Sequence, residues 1–342
     1  MKVRARAPLR LGFAGGGTDV SPYCDFFGGS VLNATIDRYV YATVTDLDHR
    51  AVAFDIIEKN IHAEYDLAAE RPFDGILDLH KAVYNRIVAD FLGNRPRAIR
   101  LSSMSESPPG SGLGSSSALV VAMVQAMVEF FSIPLSEYDV AQLAYQIERV
   151  DLGLAGGKQD QYAAAFGGVN FIEFHQDGAI LVNQLKIKQR VVSELEASLV
   201  LYFTGVSRSS ADIVKQQMNN VLRKDNDSID AMHQLKEESI AMKRHLLRGD
   251  LQGFARTMQA SWQAKKRMAA EISNPLIAHV ENVARRAGAL ACKVSGAGGG
   301  GFMFFFVDPD NRIKLVEALA GEKGQVSGCH FTTEGASAWR LE

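Results

Sequence analysis

The stretch Pro108-Pro109-Gly110-Ser111-Gly112-Leu113-Gly114-Ser115-Ser116-Ser117-Ala118 crowds glycine and serine just before an apolar run. A glycine-rich loop feeding a helix N-terminus aims backbone N–H groups and the positive dipole end at one spot. That arrangement binds phosphate. The three serines can cap the helix, or offer hydroxyls to a metal or a phosphate oxygen. Glycine also clusters at Gly12 with Gly15-Gly16-Gly17, beside Arg10 and Asp19, and again at 296–301. Such turns reach positive φ and let a backbone approach a ligand closely. Two acids complete the set: Glu148, at the end of an expected helix, and Asp160, near the start of the next. By type alone both read as solvated helix-end charges, and Arg10 as a strand-end charge.

Two common nucleotide motifs fail. No stretch supplies GxxxxGK[ST]: Gly157-Lys158 is followed by Gln159 and lacks the upstream glycine. Gly296, Gly298 and Gly301 satisfy G-x-G-x-x-G, but they run into an expected strand where dinucleotide binding requires a helix.

These residues must be held by alternating strands and helices. The N-terminus mixes charge with small apolar residues, lacks the apolar core of a signal peptide, and predicts a first strand. Strands are expected at 30–36 and 39–44, split by Asp37-Arg38, then at 169–174, 179–185, 199–203, 291–294 and 302–307. Helices are expected at 78–91, 118–131, 137–149, 211–223, 230–248 and 251–268. The apolar run 118–131 is too short for the roughly 20 residues of a membrane span and predicts a buried helix. Tyr23, Phe26 and Phe27 are expected in the core. The chain is expected to divide into residues 1–185, a β-rich mixed half, and 186–342, a helix-rich α+β half.

Composition bounds the function. With 342 residues, 37 basic and 39 acidic, the formal charge of −2 argues against nonspecific nucleic-acid or anionic-membrane binding. Three cysteines, without CxxC spacing, support neither a disulfide framework nor a cysteine zinc site. The expectation is a soluble, cytoplasmic protein with small-molecule partners, no nucleic acid and no membrane. The residues leave a homodimer open.

The 108–118 loop resembles the ATP loop of the GHMP kinases, the superfamily of galactokinase, homoserine kinase, mevalonate kinase and phosphomevalonate kinase. The run Ala7-Pro8-Leu9-Arg10-Leu11-Gly12-Phe13-Ala14-Gly15-Gly16-Gly17-Thr18-Asp19 resembles that superfamily's first motif, and Val294 to Phe302 its third. The resemblance implies a two-domain α+β fold. Its N-terminal mixed domain would be like ribosomal S5 domain 2, its C-terminal domain ferredoxin-like. It also implies ATP and Mg²⁺ as cofactors, with Pro109, Gly110, Ser111, Gly112, Leu113, Gly114, Ser115, Ser116 and Ser117 around the nucleotide. Phosphoryl transfer needs such a cradle, a magnesium ligand and a residue aligning the acceptor hydroxyl. By the same resemblance Glu148 and Ser116 hold Mg²⁺, with Ser115 and Ser117 as close substitutes. Asp160 faces the acceptor, as a base or as an orienting group, and Arg10 sits beside it.

The acceptor side is more specific. Thr18-Asp19 is similar to the sugar-binding Thr-Asp of galactokinase-like enzymes, but Gly16-Gly17 replace the usual Glu-His. The runs 15–23 and 155–162 instead resemble the D-glycero-D-manno-heptose 7-phosphate kinases and the related fucose kinase domain. That implies a sugar phosphate as substrate, contacted by Asp19, Thr18, Gly16, Gly17, Gly298 and Gly299. Lys158 and Arg208 are the candidate cations for its phosphate, and both are equally readable as surface charges. The reaction implied is transfer from ATP to the anomeric hydroxyl. A kinase for L-fucose or another hexose is the first alternative. A non-catalytic sugar or nucleotide sensor is the second, and the joint presence of Arg10, Glu148 and Asp160 argues against it.

Overall fold

The computed structural model describes residues 1–206 and 210–342, and of Ser210 the backbone alone. The first stretch runs β1 (Lys2–Ala14), α1 (Tyr23–Phe27), β2 (Gly29–Asp46), β3 (Ala51–Ile56) and β4 (Ile61–Asp66). Next come α2 (Asp78–Phe91), β5 (Ile99–Ser105), α3 (Ser115–Phe131), α4 (Glu137–Tyr145) and α5 (Gln159–Phe166). Then follow β6 (Val169–Phe174), β7 (Ile180–Gln184), α6 (Gln189–Ser198) and β8 (Leu199–Phe203). Four helices come next: α7 (Ser210–Leu222), α8 (Asn226–Arg248), α9 (Leu251–Met268) and α10 (Pro275–Arg286). The chain closes with β9 (Ala289–Val294), β10 (Phe302–Val307), α11 (Arg312–Ala320), β11 (Gln325–Ser327) and β12 (Ser337–Leu341).

Two sheets organise these elements. The larger has the order β12-β1-β2-β5-β3-β4, with β6 on β2 and β7 on β6. β1 alternates as a half-buried strand must: Val3, Ala5, Ala7, Leu9, Leu11 and Phe13 are all fully buried. β2 is one continuous strand, where the polar Asp37-Arg38 pair predicts two. The pair marks a change of partner instead: Gly29 to Ala34 pair with β6, and Val40 to Asp46 with β5. The opposite strand shifts register between Pro8 and Leu9, just across from this switch. α3 is buried along most of its length and packs on β1 and β2, as an apolar helix of this kind should.

The smaller sheet has the order β11-β8-β10-β9, all antiparallel. Its elements alternate strand, helices, two strands, helix, strand, which is the ferredoxin-like arrangement. The end of the chain does not stay there: β12 pairs antiparallel with β1 in the larger sheet. A cut at 185/186 therefore parts β12 from the sheet that holds it, because the backbone groups of the β1 edge need a partner. Tyr23 is buried as expected, whereas Phe26 and Phe27 are exposed, at 56% and 38%. α1 is only five residues long and turns one side to solvent.

The halves meet at the glycine clusters. Phe302 donates its N–H to the Ser111 carbonyl at 2.8 Å, and Lys293 Nζ to the Phe13 carbonyl at 2.9 Å. The Phe13 ring packs edge-on against Phe254 and Phe304. A Cβ at Gly112 would lie 2.4 Å from the Ser295 oxygen, and one at Gly301 2.4 Å from that of Ser111. Several glycines of the second and third clusters are therefore required by each other. Two backbones touch there with no space for a side chain.

Candidate active site

The three glycine clusters surround one cleft of about 420 Å³. Pro109, Gly110, Gly112, Gly114 and Ser115 to Ser117 line one wall; Arg10, Gly16, Gly17 and Asp19 line another. Ser111 and Leu113 lie buried beneath the loop, their carbonyls accepting from Phe302 and Arg10. α3 begins at Ser115 with Gly114 as its N-cap, in the left-handed region at φ 76° and with no side-chain capping bond. Its serines do not cap the helix. The first turn, Ser115 to Ser117, lines the cleft with no side-chain cap on its amides, which suits phosphate oxygens.

Ser116 and Ser117 serve Glu148. Their hydroxyls donate to its two carboxylate oxygens at 2.7 and 2.6 Å, and Gln161 adds a third bond at 2.8 Å. Arg149 stands 3.4 Å from Oε1. Glu148 is 1% exposed, so this ring of donors offsets a large desolvation cost. It sits on a π-helical turn (Gln146–Asp151), where sequence predicts plain α-helix through 149. The wider turn accommodates an extra residue per ring, a form frequent at functional sites. Glu148 with the loop serines is an all-oxygen set that fits a hard cation such as Mg²⁺. Among the described residues no cluster of three or more His, Cys, Asp or Glu offers another metal centre.

Across the cleft, Arg10 Nε donates to Asp160 Oδ1 at 2.8 Å, and Nη2 approaches the same oxygen to 2.6 Å. Arg10 Nη1 bonds the Gly112 carbonyl at 2.6 Å and Ser295 Oγ at 3.3 Å. One buried guanidinium thus links β1, the phosphate loop, α5 and the third cluster. Its planar fork holds the carboxylate in one orientation. A Cβ on Gly114 would lie 3.2 Å from Asp160 Cγ, so the carboxylate rests against the start of α3.

Asp19 is 1% exposed and accepts from Gly17 N–H at 3.0 Å, Gln159 N–H at 3.1 Å and Gln159 Nε2 at 3.3 Å. Thr18 turns inward: its hydroxyl donates to the Ser30 carbonyl and accepts from the Ser30 amide. Gly298 and Gly299 do not line the cleft; Gly296 and Ala297 do. The Gly299 amide is tied to the Ile272 carbonyl at 2.9 Å, and Asn274 donates to the Gly299 oxygen. Lys158 lies outside the lining, its ammonium 3.6 Å from Asp25 and over the Tyr145 ring. Arg208 lies outside the described residues.

Four polar lining residues escape sequence reasoning. Arg149 and Gln159 each adjoin a recognised acid or glycine, and that adjacency was the available signal. Gln217 comes from α7. Lys265 carries no local signal, standing in the run Lys265-Lys266-Arg267. It is buried, and burial lowers its pKa to about 8, helped by repulsion from Arg10 and opposed by Asp19 and Asp160.

Models of two protein families match the chain: the N-terminal domain of GHMP kinases over residues 78–168 and their C-terminal domain over 242–325. A D-glycero-alpha-D-manno-heptose 7-phosphate kinase of Campylobacter jejuni is 45% identical over 99% of both chains. The chain belongs to the GHMP kinases. A solved D-glycero-D-manno-heptose 1-phosphate kinase from Bacteroides thetaiotaomicron superposes with a TM-score of 0.85, at 41% identity over 99% of each chain. The L-fucokinase/L-fucose-1-P guanylyltransferase of Bacteroides fragilis is more distant. It is 24% identical over 93% of this GHMP kinase and 36% of its own length. The GHMP kinase is an ATP-dependent sugar kinase, as its domains and relatives indicate. No helix among the described residues is long and apolar enough to cross a membrane.

Proposed function

We propose that this enzyme moves the γ-phosphoryl group of ATP to the anomeric C1 hydroxyl of D-glycero-D-manno-heptose 7-phosphate, giving the 1,7-bisphosphate. The step would belong to the synthesis of nucleotide-activated heptose for surface polysaccharide, in the cytoplasm. The observation that carries the reading is the meeting of Asp19 and the Arg10–Asp160 pair at the end of the phosphate loop, in one cleft. The similarity to the Campylobacter jejuni heptose 7-phosphate kinase supports the choice of sugar.

In this mechanism the loop amides and the start of α3 receive the ATP phosphates. Glu148 and Ser116 would hold Mg²⁺, which supplies charge neutralisation on the phosphates when bound. Asp19 accepts hydrogen bonds from sugar hydroxyls and fixes the ring. Asp160 orients the C1 hydroxyl and takes its proton as the oxygen attacks phosphorus and ADP leaves. Arg10 keeps Asp160 aimed at that hydroxyl. Lys158 and Arg208 are candidate cations for the 7-phosphate.

The test is a panel of acceptors with MgATP: heptose 7-phosphate, heptose 1-phosphate, free heptose, L-fucose and galactose, with products read by phosphorus NMR. Turnover of heptose 7-phosphate to a 1,7-bisphosphate is expected. Preference for L-fucose or galactose would overturn the assignment. Light scattering on the same preparation decides whether the enzyme is a homodimer.

A further inference from the structure

Lys265 is a described cation of the cleft to which the mechanism above gives no task. It lies in the last turn of α9 and is 4% exposed. Its ammonium donates to the Gly296 carbonyl at 2.5 Å. Gly296 is stacked on the phosphate loop: a Cβ there would lie 2.8 Å from the Gly112 Cα. The other lip of the cleft is equally near, since a Cβ on Gly16 would stand 3.6 Å from Lys265 Nζ. The ammonium is thus placed where the phosphate loop, the sugar loop and the Arg10–Asp160 pair converge.

Among the described residues its charge has no ion-pair partner. Among the described cations lining the cleft, Arg10 is paired with Asp160 at 2.6 Å and Arg149 lies 3.4 Å from Glu148. Lys265 makes no ion pair with any described carboxylate. A buried ammonium held by one carbonyl keeps two further N–H donors, and an unpaired buried charge is costly. The groups that face it are Arg10 on β1, Asp19, Asp160 on α5 and Lys293 on β9, the last with its own pKa pushed far down by burial. Lys265 and Arg10 raise the local positive potential. An anion arriving at this point would relieve it.

We propose that Lys265 is a catalytic residue of phosphoryl transfer, its ammonium donating to oxygens of the γ-phosphoryl group as it passes from ADP to the acceptor oxygen. This rests on the kinase reading above. The bond from phosphorus to the ADP oxygen breaks, the bond to the acceptor oxygen forms, and the hydroxyl proton goes to Asp160. Lys265 gives up no proton; it carries charge that the transition state spreads over the phosphoryl oxygens. The C-terminal half would then contribute a group to the chemistry as well as closing the cleft.

The experiment compares Lys265→Met, Lys265→Gln and Lys265→Arg with the wild type in a coupled ADP-release assay, with the sugar panel and with water alone as acceptor. Removing one such donor should lower kcat about 10²-fold in Met and Gln. Both KM values should stay within about threefold of wild type. Lys265→Arg should recover part of the loss. Wild-type kcat/KM for MgATP should fall as pH rises through about 8, where the free enzyme loses the ammonium, and the Met variant should lack that limb. Hydrolysis of ATP by water should slow by the same factor as sugar phosphorylation. A higher acceptor KM with unchanged kcat would assign Lys265 to the acceptor and overturn the proposal, as would wild-type kcat in the Gln variant. If the wild type used none of the sugars, the substrate assignment would fall, yet ATP hydrolysis would still decide the role of Lys265.

Discussion

Gly157→Ala tests the sugar site without altering a charge. Gly157 lines the cleft and its φ lies outside the left-handed region, so alanine is compatible with the backbone. The obstacle is Asp19: the new Cβ would lie 1.9 Å from Oδ2 and 2.6 Å from Cγ, where real Cβ contacts stop near 3.0 Å. The carboxylate must therefore retreat by about 1 Å, a displacement that can cost about 10²-fold in rate. It would also give up bonds to Gly17 and Gln159, now 3.0 to 3.3 Å long, each worth about 1.5–3 kcal/mol to a charged acceptor. We expect kcat/KM for the sugar to fall about 10²-fold, equivalent to about 2.7 kcal/mol. The KM for ATP should not change, because the phosphate loop is untouched. A coupled ADP-release assay reads the first quantity at varied sugar with saturating MgATP, and the second at varied MgATP with saturating sugar. In an Asp19→Ala background the clash has no partner, so adding Gly157→Ala should have no further effect. Wild-type kinetics in Gly157→Ala, or an undiminished effect in the Asp19→Ala background, would refute the placement of Asp19 as the sugar anchor.

Asp160→Asn should lower kcat about 10³-fold while calorimetry finds ATP affinity unchanged, since only the acceptor side loses its proton acceptor. Glu148→Gln replaces one carboxylate oxygen with an amide that cannot accept from a loop serine. We expect a higher MgATP KM and a shifted magnesium titration, read from initial rates at varied Mg²⁺. His80 governs an acid limb of stability: buried, with Nε2 bonded to Ser103, it has its pKa lowered by burial from 6.5 to about 4. The unfolded chain then binds the extra proton between those values, so stability is lost as pH falls through that window. The loss is about 3 kcal/mol by linkage. Urea titrations from pH 7 to 4 should show it, and His80→Leu should flatten it.

Some of the site was legible because its constraints are local. Gly114 needs a positive φ where the loop enters α3, and the serines that follow are set by the same few residues. The first and second glycine clusters could therefore be named from order and spacing, whereas Arg10, Asp19, Glu148 and Asp160 were singled out by the resemblance to the GHMP kinases. The π-helical turn that carries Glu148 could not, since Gln146–Asp151 reads as ordinary helix until Ser116, Ser117 and Gln161 take hold of its carboxylate. The role of the third cluster was half legible. Gly296 and Ala297 reach the cleft, while Gly298 and Gly299 are occupied by the Ile272 segment.

The sequence by itself determined a glycine-rich loop of phosphate-binding form at a helix start, because glycine restricts what that segment can do; the resemblance to the GHMP kinases, and not residue type, tied the two acids and the basic strand end to it. Only the tertiary structure decided which charges face one another. Lys265, Lys266 and Arg267 are alike in the chain, yet the packing of α9 sends Lys266 to Glu281 and Arg267 to Gln234. Lys265 alone of the three is driven into the cleft beside Arg10 and Gly296. Likewise nothing near residue 340 announces that β12 will return to pair with β1. Both outcomes depend on burial against distant elements, and desolvation acts on the folded surface, to which residues far apart in the sequence contribute together.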